Sequence, residues 1–199
     1  LIDANVRGAG KTLLAELIGL IVTGRSLARM SQSSCAEEER KRITALVMEG
    51  CELVLMDNVA GSLGTPALDA ALTGTRWQGR ILGQSKMVNL PMRIFWLATG
   101  NNVVLAGDMV RRVLHVRLES PLERPEERDD FAEKNLVAWV RANRPRLLVA
   151  ALTILKAYVV AGRPDMALKP WGSFDAWSAL IRGAIVWAGQ PDPALTRQA

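Results

Sequence analysis

The stretch LIDANVRGAGKTLLAELIGL, Leu1 to Leu20, runs from a short apolar segment through a glycine-bearing loop straight into an apolar helix. Leu13, Leu14, Leu17, Ile18 and Ile21 recur at helical spacing over Thr12 to Thr23, and Gly24 can end that helix. A strand end, a loop with Gly8 and Gly10, and a helix in that order favour an α/β fold. They also make a ready phosphate cradle. Glycines let backbone N–H groups curl around phosphate oxygens, and a helix N-terminus adds partial positive charge. Lys11 would reach β- and γ-phosphates, and Thr12 would place its hydroxyl on Mg²⁺. The full pattern G-x-x-x-x-G-K-S/T wants glycine at position 5, where Asn5 stands. Asparagine is the non-glycine residue that best tolerates a left-handed backbone, so the expectation is that Asn5 adopts it and the loop closes. The alternative is a chance glycine-rich turn. A loop of this kind normally follows a complete strand, so Leu1 to Ala4 reads as the end of one and the sequence as a fragment with parts missing upstream.

Strands and helices alternate through the first part of the chain. SQSSCAEEERKR reads as a polar linker entering a helix near Ala36 to Glu49, closed by Gly50. CELVLMDN is a short continuous apolar run, as expected of an inner strand of a parallel sheet. Pro66 to Leu72 reads as a short helix. WQGRILGQSKMVNLPMRIFWLATGNN has strand-like runs around a turn at Gly83 to Lys86, with a break at Pro91. Arg93 to Ala98 and Val113 to Glu119 are two further strands. Beyond the charged connector LERPEERDD everything reads as helix, punctuated by Pro145, Pro164, Pro170 and Pro191. The prediction is an α/β core over residues 1–123 with a parallel sheet in three layers, then a helical subdomain over 124–199.

A phosphate loop needs an acid for the metal's water shell, and LVLMDN supplies Asp57 at the end of a buried strand. The competing reading is an aspartate capping the next turn. Asn58 follows where many ATPases carry glutamate; an amide can orient water but accepts its proton poorly. WLATGNN repeats the design with Asn101 and Asn102, which either face the γ-phosphate or simply make a turn. Arg111 and Arg112 precede the last strand. An arginine offered to a neighbouring subunit's γ-phosphate would stabilise transition-state charge, whereas a salt-bridged surface is the plainer role.

Composition narrows the partners. The 199 residues are 49% hydrophobic and 23% charged, enough to fold around a real core, and the net charge of +5 suits a polyanion such as nucleic acid. Cys35, Cys51 and His115 do not make a zinc site, and free thiols in a reducing cytosol are the default. The run LLVAALTILKAYVVAG from Leu147 is short for a membrane span and carries Lys156, which predicts a buried helix rather than a membrane segment.

Taken together, GAGKT, LVLMDN, WLATGNN and GDMVRR, in this order and spacing, resemble the ATPase domain of phage, plasmid and integrated-element primase–helicases. That group is itself similar to AAA+ and superfamily 3 helicase ATPases. The closing PWGSFDAWSALIRGAIVWAGQPDP is similar too, so the resemblance covers nearly the whole chain. It implies a P-loop NTPase core with ATP and Mg²⁺ as cofactors. It also implies a hexameric ring moving on single- or double-stranded DNA, and an upstream primase domain. By the same resemblance Arg7, Gly8, Ala9, Gly10, Lys11, Thr12 and Leu13 surround the nucleotide as the Walker A segment. Thr12 and Asp57 hold the metal, Asp57 and Asn58 form Walker B, Asn101 is sensor 1, and Arg111 or Arg112 is the arginine finger. Asn5 and Asn58 are departures from the pattern.

DNA contact is expected at RWQGRILGQSK, with Arg76, Arg80 and Lys86 for phosphates and Trp77 either stacking on a base or sitting in the core. In the tail, Phe174, Trp177, Ile181, Ile185 and Ala188 share a helical face, with Ser173 as cap and Gly189 as stop. Trp139 and Trp187 read as core, His115 as a buried strand residue, and Arg182 as a surface charge or a weak sensor-2 candidate. Two other functions compete with the motor: a small-molecule kinase, for which no arginine-rich lid is visible, and a module that binds nucleotide or DNA without turnover.

Overall fold

The computed structural model describes residues 1–198. Strand β1 (Ile2–Ala4) passes through the glycine loop into α1 (Lys11–Thr23), which ends where Gly24 turns left-handed and its N–H caps the Leu20 carbonyl. Next come β2 (Ala28–Ser31), α2 (Ala36–Met48) and β3 (Leu53–Val59). A short β4 (Ser62–Leu63) leads to α3 (Pro66–Thr73), where Thr65 Oγ1 accepts from the Leu68 N–H and Pro66 sits in the first turn. β5 (Arg76–Arg80) and β6 (Met87–Pro91) form a separate antiparallel hairpin. β7 (Phe95–Gly100), β8 (Val104–Leu105), α4 (Met109–Arg112) and β9 (Val116–Leu118) follow. The long α5 (Leu136–Val160) comes after an exposed connector. A final run consists of α6 (Asp175–Trp177), a π-helical turn at Ser178–Arg182 and α7 (Gly183–Trp187).

Five strands make one all-parallel sheet in the order β2-β3-β7-β1-β9. Its two faces are read directly from the alternation along β3. Leu53 and Leu55 pack with Ala15, Ile18 and Leu97 under α1, while Val54 and Met56 pack with Leu68, Ala98 and Met109 on the opposite face. A strand buried on both sides must be apolar throughout, and LVLM is. The hairpin and α2 share a third cluster in which Trp77 lies beside Ile43 and Val47. Helix α5 starts against the outer side of α1, with Val140 on Leu17 and Leu20, and Arg144 donates to the Leu20 and Val22 carbonyls at the end of α1.

Several sequence expectations need correction. The edge strand β2 does not show in the sequence, because ARMS is short and its arginine hides the strand pattern. Pro145 does not interrupt a helix: α5 runs through it for 25 residues. The apolar run from Leu147 is helical but not buried, since Val149, Leu152, Val159 and Val160 face outward. Trp139 and Trp187 are more than a third exposed, so neither is core. Ser173 takes φ 69° and lies one position before the N-cap, which is Phe174. The buried positions of the final run are Ser178, Arg182, Gly183 and Ala184, not the expected stripe. Arg182 is no surface charge. It is 1% exposed and pairs with Asp192 at 2.9 and 2.6 Å, donates to the Lys169 carbonyl at 3.0 Å, and lies over the Trp171 ring. Among the described residues no helix is long and apolar enough to cross a membrane.

Candidate nucleotide site at the strand ends

The carboxyl ends of β1, β7 and β3, three adjacent strands, open onto the N-terminus of α1, where open α/β sheets place their ligand crevice. Gly8 and Gly10 hold φ 75° and 84°, and Gly10, as the N-cap, offers no side chain to the first turn of α1. The helix N–H groups therefore face the loop. Asn5 is not left-handed. Its side chain donates to the Ser120 carbonyl at 2.9 Å and accepts from the Ser120 N–H at 3.0 Å. The amide thus extends the β1–β9 pairing beyond the end of both strands. Asparagine serves here through this amide pairing and not through a left-handed backbone.

Lys11 lies buried below the loop and donates to Asn101 Oδ1 at 2.7 Å and, weakly, to the Val6 carbonyl at 3.4 Å. Burial pushes its ammonium pKa down, and the charge of Asp3 pulls it partly back. The next residue, Thr12, donates through Oγ1 to Asp57 Oδ1 at 2.9 Å. The sequence anticipated this meeting of loop and acidic strand tip. It did not anticipate Thr99, whose hydroxyl donates to the same Asp57 oxygen at 2.7 Å and accepts from the Asn58 N–H at 3.1 Å. β3 shifts register against β7 between Met56 and Val59, and Asn58 takes φ 57° there. This irregularity turns the Asp57 carboxylate toward Thr12 and leaves Asn58 exposed.

Two further groups close the site from the sides. Arg29 on β2 reaches Asp57 Oδ2 at 3.3 Å while donating twice to Glu16 Oε1, at 2.9 and 2.6 Å. Asp3, 1% exposed on β1, accepts from Arg117 at 2.8 Å and from the Val103 N–H at 3.3 Å. Arg117 also donates to Asn102 Oδ1 at 3.0 Å, fixing the turn that carries Asn101. His115 stands 3.4 Å from Asp3, half-buried just before β9.

The remaining expected positions lie farther out. Arg7 and Leu13 are exposed and Ala9 is half-buried on the loop. A β-carbon on Gly8 would strike the Glu126 carboxylate, so the turn at Pro125–Glu127 lies against the loop. Arg112 is held inside, donating to Asp69 at 2.9 Å and Asp108 at 2.9 Å, so it fastens α4 to α3. Arg111 is half-exposed, and among the described residues its side chain donates to Asp108 alone, at 2.6 Å. On the hairpin, Arg76 is engaged by Asn89 and Arg80 reaches the Gln84 carbonyl, while Lys86 is exposed at the tip. Arg80 also borders a groove of about 380 Å³ shared with Arg40 and Lys41 of α2. Trp77 is 3% exposed and donates to Thr44, so of its two readings the core one matches and base stacking does not.

Thr12 and Asp57 are hard oxygen donors set side by side. No cluster of three His, Cys, Asp or Glu residues among the described residues could cage a metal. That pairing fits a Mg²⁺ ion that keeps waters and takes its other ligands from phosphates.

No family model matches the chain, and no curated protein matches it. Solved structures do share the fold. The A form apo structure of the NrS-1 C-terminal region matches with a TM-score of 0.51 at 13% identity, over 72% of this chain and 33% of that one. The chain therefore spans about a third of that structure's length. At this identity the likeness is one of fold: an α/β protein with a parallel sheet flanked by helices.

Proposed function

We propose that the strand-end crevice binds ATP with Mg²⁺ and hydrolyses it. On this reading the chain is the motor part of a DNA helicase that replicates a phage, plasmid or integrated element in the cytoplasm. The observation that carries the reading is the convergence of Lys11, Thr12, Asp57 and Asn101 within hydrogen-bond reach at three neighbouring strand ends. The loop N–H groups from Gly8 to Thr12 cradle the phosphates. Lys11 exchanges Asn101 for the β- and γ-phosphate oxygens, which also relieves its buried, pKa-lowering position. Thr12 and Asp57 hold the cation, which when bound neutralises charge building on the phosphoryl oxygens. Asn101 and Asn58 orient the attacking water, and no carboxylate stands at position 58 to accept its proton. Arg111, the freer of the two arginines, is offered to the nucleotide of an adjacent copy in a ring. Arg76, Arg80 and Lys86 take DNA phosphates along the hairpin.

ATP turnover with and without single-stranded DNA tests this. The motor reading expects turnover that rises with DNA and is lost in Asp57→Asn. The exposed amide at Asn58 favours one alternative, a module that binds nucleotide without turnover; ADP and ATP binding with no hydrolysis under either condition supports it. Phosphorylation of a metabolite would instead support the kinase.

A further inference from the structure

Asp57 is asymmetric in its partners. Oδ1 takes two hydroxyl donors, Thr12 and Thr99, which fix the carboxylate in place. Among the described residues, the one hydrogen-bonding partner of Oδ2 is the Arg29 guanidinium, at 3.3 Å. The same guanidinium makes two shorter bonds to Glu16 Oε1, at 2.9 and 2.6 Å. Glu16 lies four residues after Thr12, on the same side of α1. Arg29 pairs in register with Leu55, two residues before Asp57, and its side chain remains half-exposed. Arg29 is thus anchored on Glu16 and leans on Asp57.

We propose that Arg29 is the counter-ion Asp57 exchanges for a divalent cation, and that Glu16 receives the guanidinium as it withdraws. This rests on the Mg²⁺–nucleotide reading above. A doubly charged ion beside Thr12 and Asp57 stands within a few ångströms of the guanidinium, and the repulsion outweighs one long ion pair. Withdrawal costs little, because the exposed Arg29 head keeps its two Glu16 bonds and gains water. Without a cation, Arg29 limits the repulsion between Asp57 and an incoming phosphate. Arg29 and Glu16 are positioning residues here: they set how strongly nucleotide binding depends on the metal.

The experiment measures affinity for methylanthraniloyl-ADP by fluorescence in excess Mg²⁺ and in EDTA, and takes the ratio. In Arg29→Gln the Mg²⁺ advantage rises about five-fold, because the competitor is gone and the metal-free state loses its counter-charge. In Glu16→Gln it falls about three-fold, because the guanidinium has lost its resting place. Added to Arg29→Gln, Glu16→Gln changes nothing further, since it acts through Arg29. Arg29→Lys keeps the charge and gives a ratio between wild type and Arg29→Gln, which separates charge exchange from a disturbed edge strand. An unchanged or smaller ratio in Arg29→Gln, or a Glu16→Gln effect that persists without Arg29, overturns the exchange. Wild-type protein that binds no nucleotide in either buffer overturns the nucleotide reading, and the exchange with it.

Discussion

Two apolar helices made of much the same residues end in opposite surroundings. α1, KTLLAELIGLIVT, buries Ala15, Leu17, Gly19 and Leu20 between the sheet and the first turns of α5. The far half of α5, LLVAALTILKAYVV, leaves Val149 60%, Leu152 55% and Val160 77% exposed; it meets the rest of the chain at its start, where Leu147 packs by Leu17 and Leu20, and at Tyr158, which packs on Trp187 and bonds to the Pro164 carbonyl. Apolar composition makes both segments helical, but connectivity decides burial. α1 is tied by a short loop to β1 in the sheet, so it must lie over β1, β7 and β3. α5 begins after a connector, is anchored on α1 by Val140 and Arg144, and then runs past the end of its support.

The contrast is strongest in stability. Leu55→Ala, beneath α1, should cost about 4 kcal/mol, whereas Leu152→Ala on α5 should stay within about 0.5 kcal/mol. Urea unfolding of the two variants checks this, and similar losses would mean that the far half of α5 is covered. The helical part nonetheless has an interior of its own, centred on a charge. Arg182→Gln should cost about 3 kcal/mol by stranding Asp192, Ser178 and the Lys169 carbonyl. The Asp192 carboxyl is held below its ordinary value chiefly by the Arg182 hydrogen bonds. Its contribution is therefore complete above the ordinary carboxylate range and is lost as pH falls through the lower folded value. Near-ultraviolet signals from Trp171 and Trp177 should weaken in acid below about pH 4 in wild type, and Asp192→Asn should lack that acid-dependent step. The smallest effect belongs to the loop. Asn5→Gly restores the usual residue but loses the Ser120 pair, so it should destabilise by about 1 kcal/mol while leaving nucleotide affinity nearly unchanged.

The site was partly legible for a physical reason. Gly8 to Thr12 and Asp57 announce themselves because loop, helix start and strand end are local patterns with fixed spacing. Thr99, Arg29, Asp3 and Arg117 do not, because each acquires its role only when strand order sets β7 between β1 and β3 and puts β2 and β9 alongside. Asn5 stands out in the sequence without showing its role: backbone tolerance is a property of the residue, whereas its bond to Ser120 is a property of the β1–β9 pairing. Likewise the apolar letters of α5 told its helicity and not its exposure, and the four letters of β2 were too few to show a strand.

The central claim is that one Mg²⁺–nucleotide is held between Lys11 and Asp57. Calorimetric titration of wild type and Lys11→Ala with ATP and Mg²⁺ tests it most directly. The account predicts one binding event in wild type, weakened about a hundred-fold or more in the variant, with thermal unfolding of the two proteins nearly the same, because removing the lysine takes away one charged partner of the phosphates. Equal binding by both proteins, or none by either, would contradict it.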